Sequence, residues 1–332
     1  MKREVLRYEF VLRAEQPIAH HSETLGNEAI IMRRKVRQRA GGWADVPIVT
    51  ADAMRHGMRS ASAYALLDAA GMLEQPALSE AALRLLFAGG MITGRGDAST
   101  VSLDRYRELC ELVPSMALFG GCADNRSIPG RLRVEDATLI CDETRHYVAP
   151  WALSYAEREG GALDSCRSHV EEVQRVRMDP TLVPAKRLLL TTDDQVSVNN
   201  RLAASEKAHH EDNAIERAES KSSMMPRRFE RLAQGSYLSW ACEAEVFTDL
   251  DRDTFHVAAA AFLASARVGG KQGTGHGLLR PLAANSVAMA RPADALTSVD
   301  ATALAPRMGE LFRAHVAERA GRIREFFAGV NA

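Results

Sequence analysis

The stretch from Tyr237 to Val246 constrains the fold more than any other part of this chain. Leu238, Trp240, Cys242, Ala244 and Val246 alternate with Ser239, Glu243 and Glu245. A period of two places one set of side chains on one face, so the spacing predicts a half-buried β-strand. Downstream, Asp253 is a candidate cap for a helix with Phe255, Phe262 and Ala266 on one face. Five glycines then fall within nine residues, from Gly269 to Gly277, and another apolar stretch follows near Ser286 to Ala290. Strand, helix, glycine loop, strand is the expected order for the second half of the chain.

A similar unit opens the sequence. Leu6, Tyr8, Phe10 and Leu12 alternate with Arg7, Glu9 and Arg13, which predicts a first strand. A polar connection with His20, His21, Ser22 and Glu23 leads to an apolar and then strongly basic segment, Ala29 to Arg39. Val46-Pro47-Ile48-Val49 runs into Thr50, a good N-cap, with Asp52 placed to favour the helix dipole. Met54, Met58, Ala61 and Ala65 recur at helical spacing, so a helix is expected over about 51–69. After the turn at Ile128-Pro129-Gly130, Arg131 to Leu139 reads as a second strand.

The order suits an α+β chain built on a split βαβ, ferredoxin-like sheet with large insertions. The sheet is expected from roughly 1–69, 128–149 and 236–295. Short helical patterns such as Glu80 to Ala88, broken by glycines, form a helical insertion over 70–127. Residues 150–235 form an irregular insertion, within which Ala204 to Ser223 is too polar for a core and reads as an exposed arm. A final amphipathic helix is expected over 300–328, with Leu304, Met308, Leu311, Val316, Ile323 and Phe327 facing inward.

A chain of 332 residues with 46% hydrophobic content can bury a core without staples. Its formal net charge of -1 supplies no global field for nucleic acid, so such binding must come from local clusters. The five cysteines include no C-x-x-C pair, which fits reduced thiols in a cytoplasmic protein and no zinc site. No apolar run reaches membrane-spanning length. No cofactor or metal is expected.

Three features could carry chemistry. The run Arg33-Arg34-Lys35-Val36-Arg37-Gln38-Arg39 holds five cations in seven residues, enough to neutralise several phosphates. If extended, Arg33, Lys35, Arg37 and Arg39 share one side; the alternative is a solvated edge that discourages aggregation. Arg55 and Arg59 sit one helical turn apart, either reaching the rim or snorkelling along the core. The glycine loop, with Lys271, could hold phosphate oxygens on its amides. A nucleotide-enzyme fingerprint needs strand, glycines, helix, and here the helix comes first. Among catalytic readings, His20 and His21 could act as acid or base, but no second partner is evident nearby. No Ser-His-Asp signature appears, and Asp193-Asp194 reads as a solvated pair.

Four segments in order resemble the RAMP backbone subunit of CRISPR effector complexes, the seventh Cas protein family. They are Val46 to Arg59, with its proline, capped helix and Gly-x-x-Arg; Leu118-Phe119-Gly120-Gly121 followed by Pro129 to Ala137; Met225 to Glu230 with Gly235; and the glycine loop after an alanine-rich helix. The opening His20 to Lys35 looks most like the type IV branch. The resemblance implies an RRM-like palm with finger and thumb insertions, polymerisation along a guide RNA (crRNA), contact with other complex subunits, and support of pairing with a target nucleic acid. The RNA contacts it suggests are Arg33, Arg34, Lys35, Arg37, Arg39, Thr50, Arg55, Arg59, Gly269, Gly270, Lys271, Gln272, Thr274 and His276. Target-cutting relatives use an aspartate after the first strand. This chain has His20, His21, Ser22 and Glu23 there, so a non-catalytic role is expected.

Overall fold

The computed structural model describes residues 3–25, 28–74, 78–90, 103–123, 126–176, 226–288, 297–299 and 309–329. The expected arm at Ala204 to Ser223, Asp193-Asp194, and Leu304 and Met308 of the last expected helix lie outside them. The described chain forms two compact units. One comprises the described parts of Met1–His20, Met32–Val170 and Leu232–Ala332; the other is drawn from His21–Ile31 and Glu171–Arg231.

The larger unit is an α+β fold around an RRM-like, ferredoxin-like sheet. Its central strands are β1 (Glu4–Ala14) and β12 (Tyr237–Val246), antiparallel from Glu4↔Val246 to Arg13↔Tyr237. On the other side of β1 lies β13 (Leu279–Ala288), followed by β14 (Thr297–Val299). Beyond β12 come β9 (Ala137–Leu139), β5 (Trp43–Val49) and β4 (Arg33–Arg37), while β8 (Leu132–Val134) also pairs with β12. The helices α1 (Ala51–Ala69) and α6 (Asp249–Ala264) pack together on one face. Gly57 permits their approach: a Cβ there would lie 2.5 Å from the Phe262 ring.

Alternation explains the core. Phe10 and Leu12 of β1 and Leu238, Trp240 and Cys242 of β12 are fully or almost fully buried. Phe10 stacks on Trp240 with centroids 5.3 Å apart, and Trp240 meets the edge of Phe262 at 5.7 Å. Such offset and edge contacts suit the ring quadrupoles. A second core joins the far side of α1 to α2 (Glu80–Ala88), α3 (Leu103–Leu112), α4 (Pro114–Phe119), α7 (Glu310–Glu318) and α8 (Ala320–Gly329) through Leu66, Leu86, Leu112, Phe312 and Phe327. The opposite face of the sheet is covered in part by α5 (Pro150–Gly160), where Val11 packs with Ile140, Ala152 and Ala156.

Four sequence expectations change. The helix expected to start at Asp253 starts at Asp249, because Thr248 and Asp251 close a reciprocal capping box. Asp253 instead accepts from the Gly309 and Phe312 amides at 2.6 and 2.9 Å, capping α7. The last helix is broken between Glu318 and Ala320, and Leu311 is 55% exposed rather than inward. Arg131 to Leu139 forms two short strands: five residues of β12 from Leu238 to Cys242 face six from Val134 to Leu139. That extra residue is a bulge at Glu135-Asp136, and it turns Asp136 toward α1.

The smaller unit holds most of a four-stranded sheet ordered β10 (Val170–Val176), β11 (Pro226–Leu232), β3 (Glu28–Ile31) and β2 (His21–Leu25). The Glu230 carboxylate accepts the Ile31 amide at 3.0 Å, and the His21 ring lies edge-on to Phe229. A two-stranded ribbon, β6 (Gly121–Ala123) with β7 (Arg126–Ile128), completes the larger unit. Among the described residues no helix is long and apolar enough to cross a membrane.

Candidate nucleic-acid interface

The RRM-like sheet offers an open face, and in many proteins of that architecture aromatic side chains there stack on RNA bases. Here Tyr8, Phe10 and Trp240 point into the core, Tyr237 packs with α5 on the other face, and the rest of that face carries paired charges. Arg7 meets Glu135 at 2.6 Å and Glu243 at 3.6 Å; Arg133 meets Glu243 at 2.9 Å and Glu245 at 3.3 Å; Arg3 meets Glu245 at 2.7 Å. The network satisfies its own charges, so a nucleic-acid surface must be sought at an end or edge of the sheet.

One end gathers several of the residues picked out by sequence. The segment Pro17 to His20 is the joint. Ala19 bridges Gly270, whose amide donates to the Ala19 carbonyl at 2.8 Å, and Gly277 donates to the Pro17 carbonyl at 2.9 Å. The His20 carbonyl accepts the Met32 amide at 2.7 Å, next to the start of β4. The His20 ring takes the third direction: Nε2 accepts the Thr50 amide at 3.2 Å and lies 3.1 Å from the Thr50 hydroxyl. The glycine loop, the basic strand and the N-terminus of α1 therefore meet around one histidine, which the sequence marked only as a loop residue or a candidate acid–base group.

At that N-terminus, Thr50 caps the helix by accepting the Ala53 amide at 3.4 Å. Asp136, delivered by the bulge, accepts the Ala51 amide at 2.7 Å. Its other oxygen pairs with Arg34, an ion pair without an aligned hydrogen bond. The negative carboxylate suits the positive end of the helix. Asp136 falls inside a segment singled out by sequence, but only the fold reveals its capping.

The basic run divides. Arg33 to Arg37 form β4, the outermost strand beside β5 among the described residues, so the cations sit on a sheet edge. Arg39 is not in line with them: it lies in the hairpin turn before Gly41 and Gly42. Arg34 is engaged by Asp136. Lys35, Arg37 and Arg39 are exposed and make no ion pair among the described residues.

Arg55 and Arg59 do not reach the rim. Arg55 donates to the Leu132 and Phe119 carbonyls, both at 2.6 Å, and Arg59 donates to Phe119 and Gly120 at 3.0 and 3.1 Å. Their guanidinium carbons lie 5.8 and 5.2 Å from the Phe119 ring centroid. Burial, helped by the Arg55 charge, pushes the Arg59 pKa down to about 10, which leaves it cationic at neutral pH. The pair clamps the turn after α4. In the same region Arg131 forms a two-point ion pair with Asp251, at 2.8 and 2.9 Å, against the cap of α6.

The glycine loop is an ordered turn. Gly269 and Gly277 hold φ of +72° and +88°, and a Cβ on them would lie 2.7 Å from the Ala19 carbonyl and 2.2 Å from the Val268 carbonyl. Gly270 and Gly273 are different: neither has positive φ, and a Cβ on Gly273 meets nothing within 4 Å. Lys271 is the one non-glycine residue with positive φ among those described, at +59°. The Gln272 amide and the Thr274 hydroxyl donate to the Gly269 and Lys271 carbonyls, both at 2.9 Å. His276 is buried, with Nδ1 3.1 Å from the Thr274 carbonyl. Three of the side chains predicted to contact RNA thus make hydrogen bonds within the loop, while Lys271, Gln272 and Thr274 stay exposed on its surface and His276 is buried.

Comparison with protein-family models returns no match, and comparison with curated proteins returns none. Among solved structures, the chain is similar to one from a Type IV-B CRISPR complex, with a TM-score of 0.51 and 15% sequence identity. The alignment covers 87% of this chain and 92% of the other, so the likeness is one of fold over nearly the full length of both.

Proposed function

We propose that this chain is a non-catalytic, guide-RNA-binding subunit of a CRISPR effector complex, a RAMP backbone protein most like the type IV branch. Copies polymerise along the crRNA in the cytoplasm, contact other subunits of the complex, and support pairing of the guide with a target nucleic acid. One observation carries the reading. A fold shared along almost its whole length with a chain of a Type IV-B CRISPR complex brings a basic edge strand and a glycine loop to the same end of the sheet.

The physics of that end suits a phosphate backbone. Exposed cations at Lys35, Arg37 and Arg39 supply sequence-independent attraction, and the open space at Gly273 lets a strand approach its backbone. The paired charges on the open sheet face leave that face electrically quiet, so the exposed cations of the basic edge are what attract a phosphate backbone. For cleavage, His20 would need a free ring nitrogen facing the substrate, and its Nε2 is committed to Thr50.

Co-expression with a CRISPR array followed by size-exclusion chromatography tests the proposal. The expected outcome is a large species whose absorbance ratio shows bound RNA, and intact repeat RNA after incubation without metal. Discrete cleavage of that RNA would favour an endoribonuclease instead.

A further inference from the structure

The hairpin that carries the basic strand also presents aromatic rings. Trp43 opens β5 directly opposite Arg37 of β4, and its side chain is 67% exposed. A tryptophan this open loses hydrophobic stabilisation, and neither face of the indole is covered by another ring or a guanidinium among the described residues. Tyr147, 61% exposed, is tied to the same hairpin: its hydroxyl donates to the carbonyl of Arg37, the residue paired with Trp43. The Gln38 side chain donates to the Glu143 carbonyl at 3.3 Å, tying the same turn to the segment that carries Tyr147. Two exposed aromatic side chains are thus fixed to one short backbone stretch, with Lys35, Arg37 and Arg39 around it.

We infer that Trp43 and Tyr147 form a base-stacking platform for single-stranded RNA at the tip of the β4–β5 hairpin. The charge pattern favours nucleic acid over a protein partner. An apolar protein surface would not need three cations beside the rings, whereas a strand presents anionic phosphates on one side and flat bases on the other. Stacking tolerates any base, as a subunit that coats guides of varied sequence requires. The inference rests on the RNA-binding reading above and adds the contact to the bases, which phosphate-binding features cannot supply.

The test compares the parent with Trp43→Leu and Tyr147→Leu, both surface changes, using labelled oligoadenylate RNA and an abasic ribose-phosphate oligomer of equal length. Intrinsic fluorescence is read in parallel, since of three tryptophans Trp240 is buried and Trp151 is partly buried and donates to Glu9. The platform predicts that RNA quenches the parent's fluorescence and that most of the quenching disappears in Trp43→Leu. It predicts that each substitution weakens oligoadenylate binding roughly tenfold, with abasic binding and the salt slope unchanged. Tight RNA binding by the parent, with both variants equal to it and no quenching, overturns the platform and leaves the RNA-binding reading standing. Variants that bind RNA normally but fail to assemble overturn it in favour of a protein-docking surface. A parent that binds neither oligomer overturns both.

Discussion

Replacing Lys35, Arg37 and Arg39 together by alanine isolates the electrostatic part of the proposed interface. These three cations are exposed and make no ion pair among the described residues, so their removal breaks no internal contact of their side chains. Tyr147 bonds to the Arg37 carbonyl rather than its side chain, and that contact survives the change. Stability should therefore move by no more than about 0.5 kcal/mol. Each phosphate contact on a single strand contributes about 0.7 to the slope of log affinity against log salt, so three lost contacts flatten it by about 2. Between 50 and 200 mM salt the parent should then lose roughly twentyfold more affinity than the variant. Fluorescence anisotropy with a labelled single-stranded RNA across a salt series, beside a thermal melt, measures both quantities. The loss should be similar for unrelated sequences, because phosphates carry no sequence information. A folded variant with an unchanged slope would refute the assignment and return these charges to the role of a solvated sheet edge.

Other substitutions separate structural from binding roles. Gly277→Ala should lower the melting temperature by several degrees, since its φ is +88° and the new Cβ would lie 2.2 Å from the Val268 carbonyl; Gly273→Val, in open space, should fold normally and weaken RNA binding. Arg59→Met should destabilise by about 1–3 kcal/mol by taking the guanidinium donor from the Gly120 carbonyl and leaving the Phe119 carbonyl to Arg55 alone, with no change in salt slope. Glu143 supplies a pH test. Burial pushes its pKa up, but the Ser165 hydroxyl at 2.6 Å and the Cys166 amide at 2.7 Å outweigh that and hold it at about 2. A folded pKa below the ordinary value means stability that is present above about pH 4.5 and lost as pH falls toward 2. Urea denaturation across that range should show a shallower acid loss for Glu143→Gln than for the parent.

The strands and helices most legible in sequence are those whose pattern is set by burial. Tyr237 to Val246 and the start of the chain alternate because one face packs on α1 and α6, and the helix from Ala51 follows its own cap at Thr50. What sequence could not reveal are capping and clamping contacts between distant segments. Asp253 has the character of a cap residue, but the helix it caps begins 57 residues later at Glu310. Arg55 and Arg59 lie on a helix flank from which either rim or core was reachable, and only the placement of Phe119 decides it. Likewise the basic run looked continuous, but a bulge at Asp136 withdraws Arg34 and a turn carries Arg39 off the strand. Trp43 gave no signal of its own, since an aromatic at the start of a strand is more often buried than the 67% exposure found here.

The most direct test of the central claim is the RNA held by the protein itself. Purification after co-expression with a CRISPR array, nuclease digestion, and sequencing of the protected fragments reads it out. The account predicts crRNA-derived fragments protected in a regular repeat along the guide, one repeat per bound copy. A monomer free of nucleic acid, or protected fragments drawn at random from cellular RNA, would contradict it.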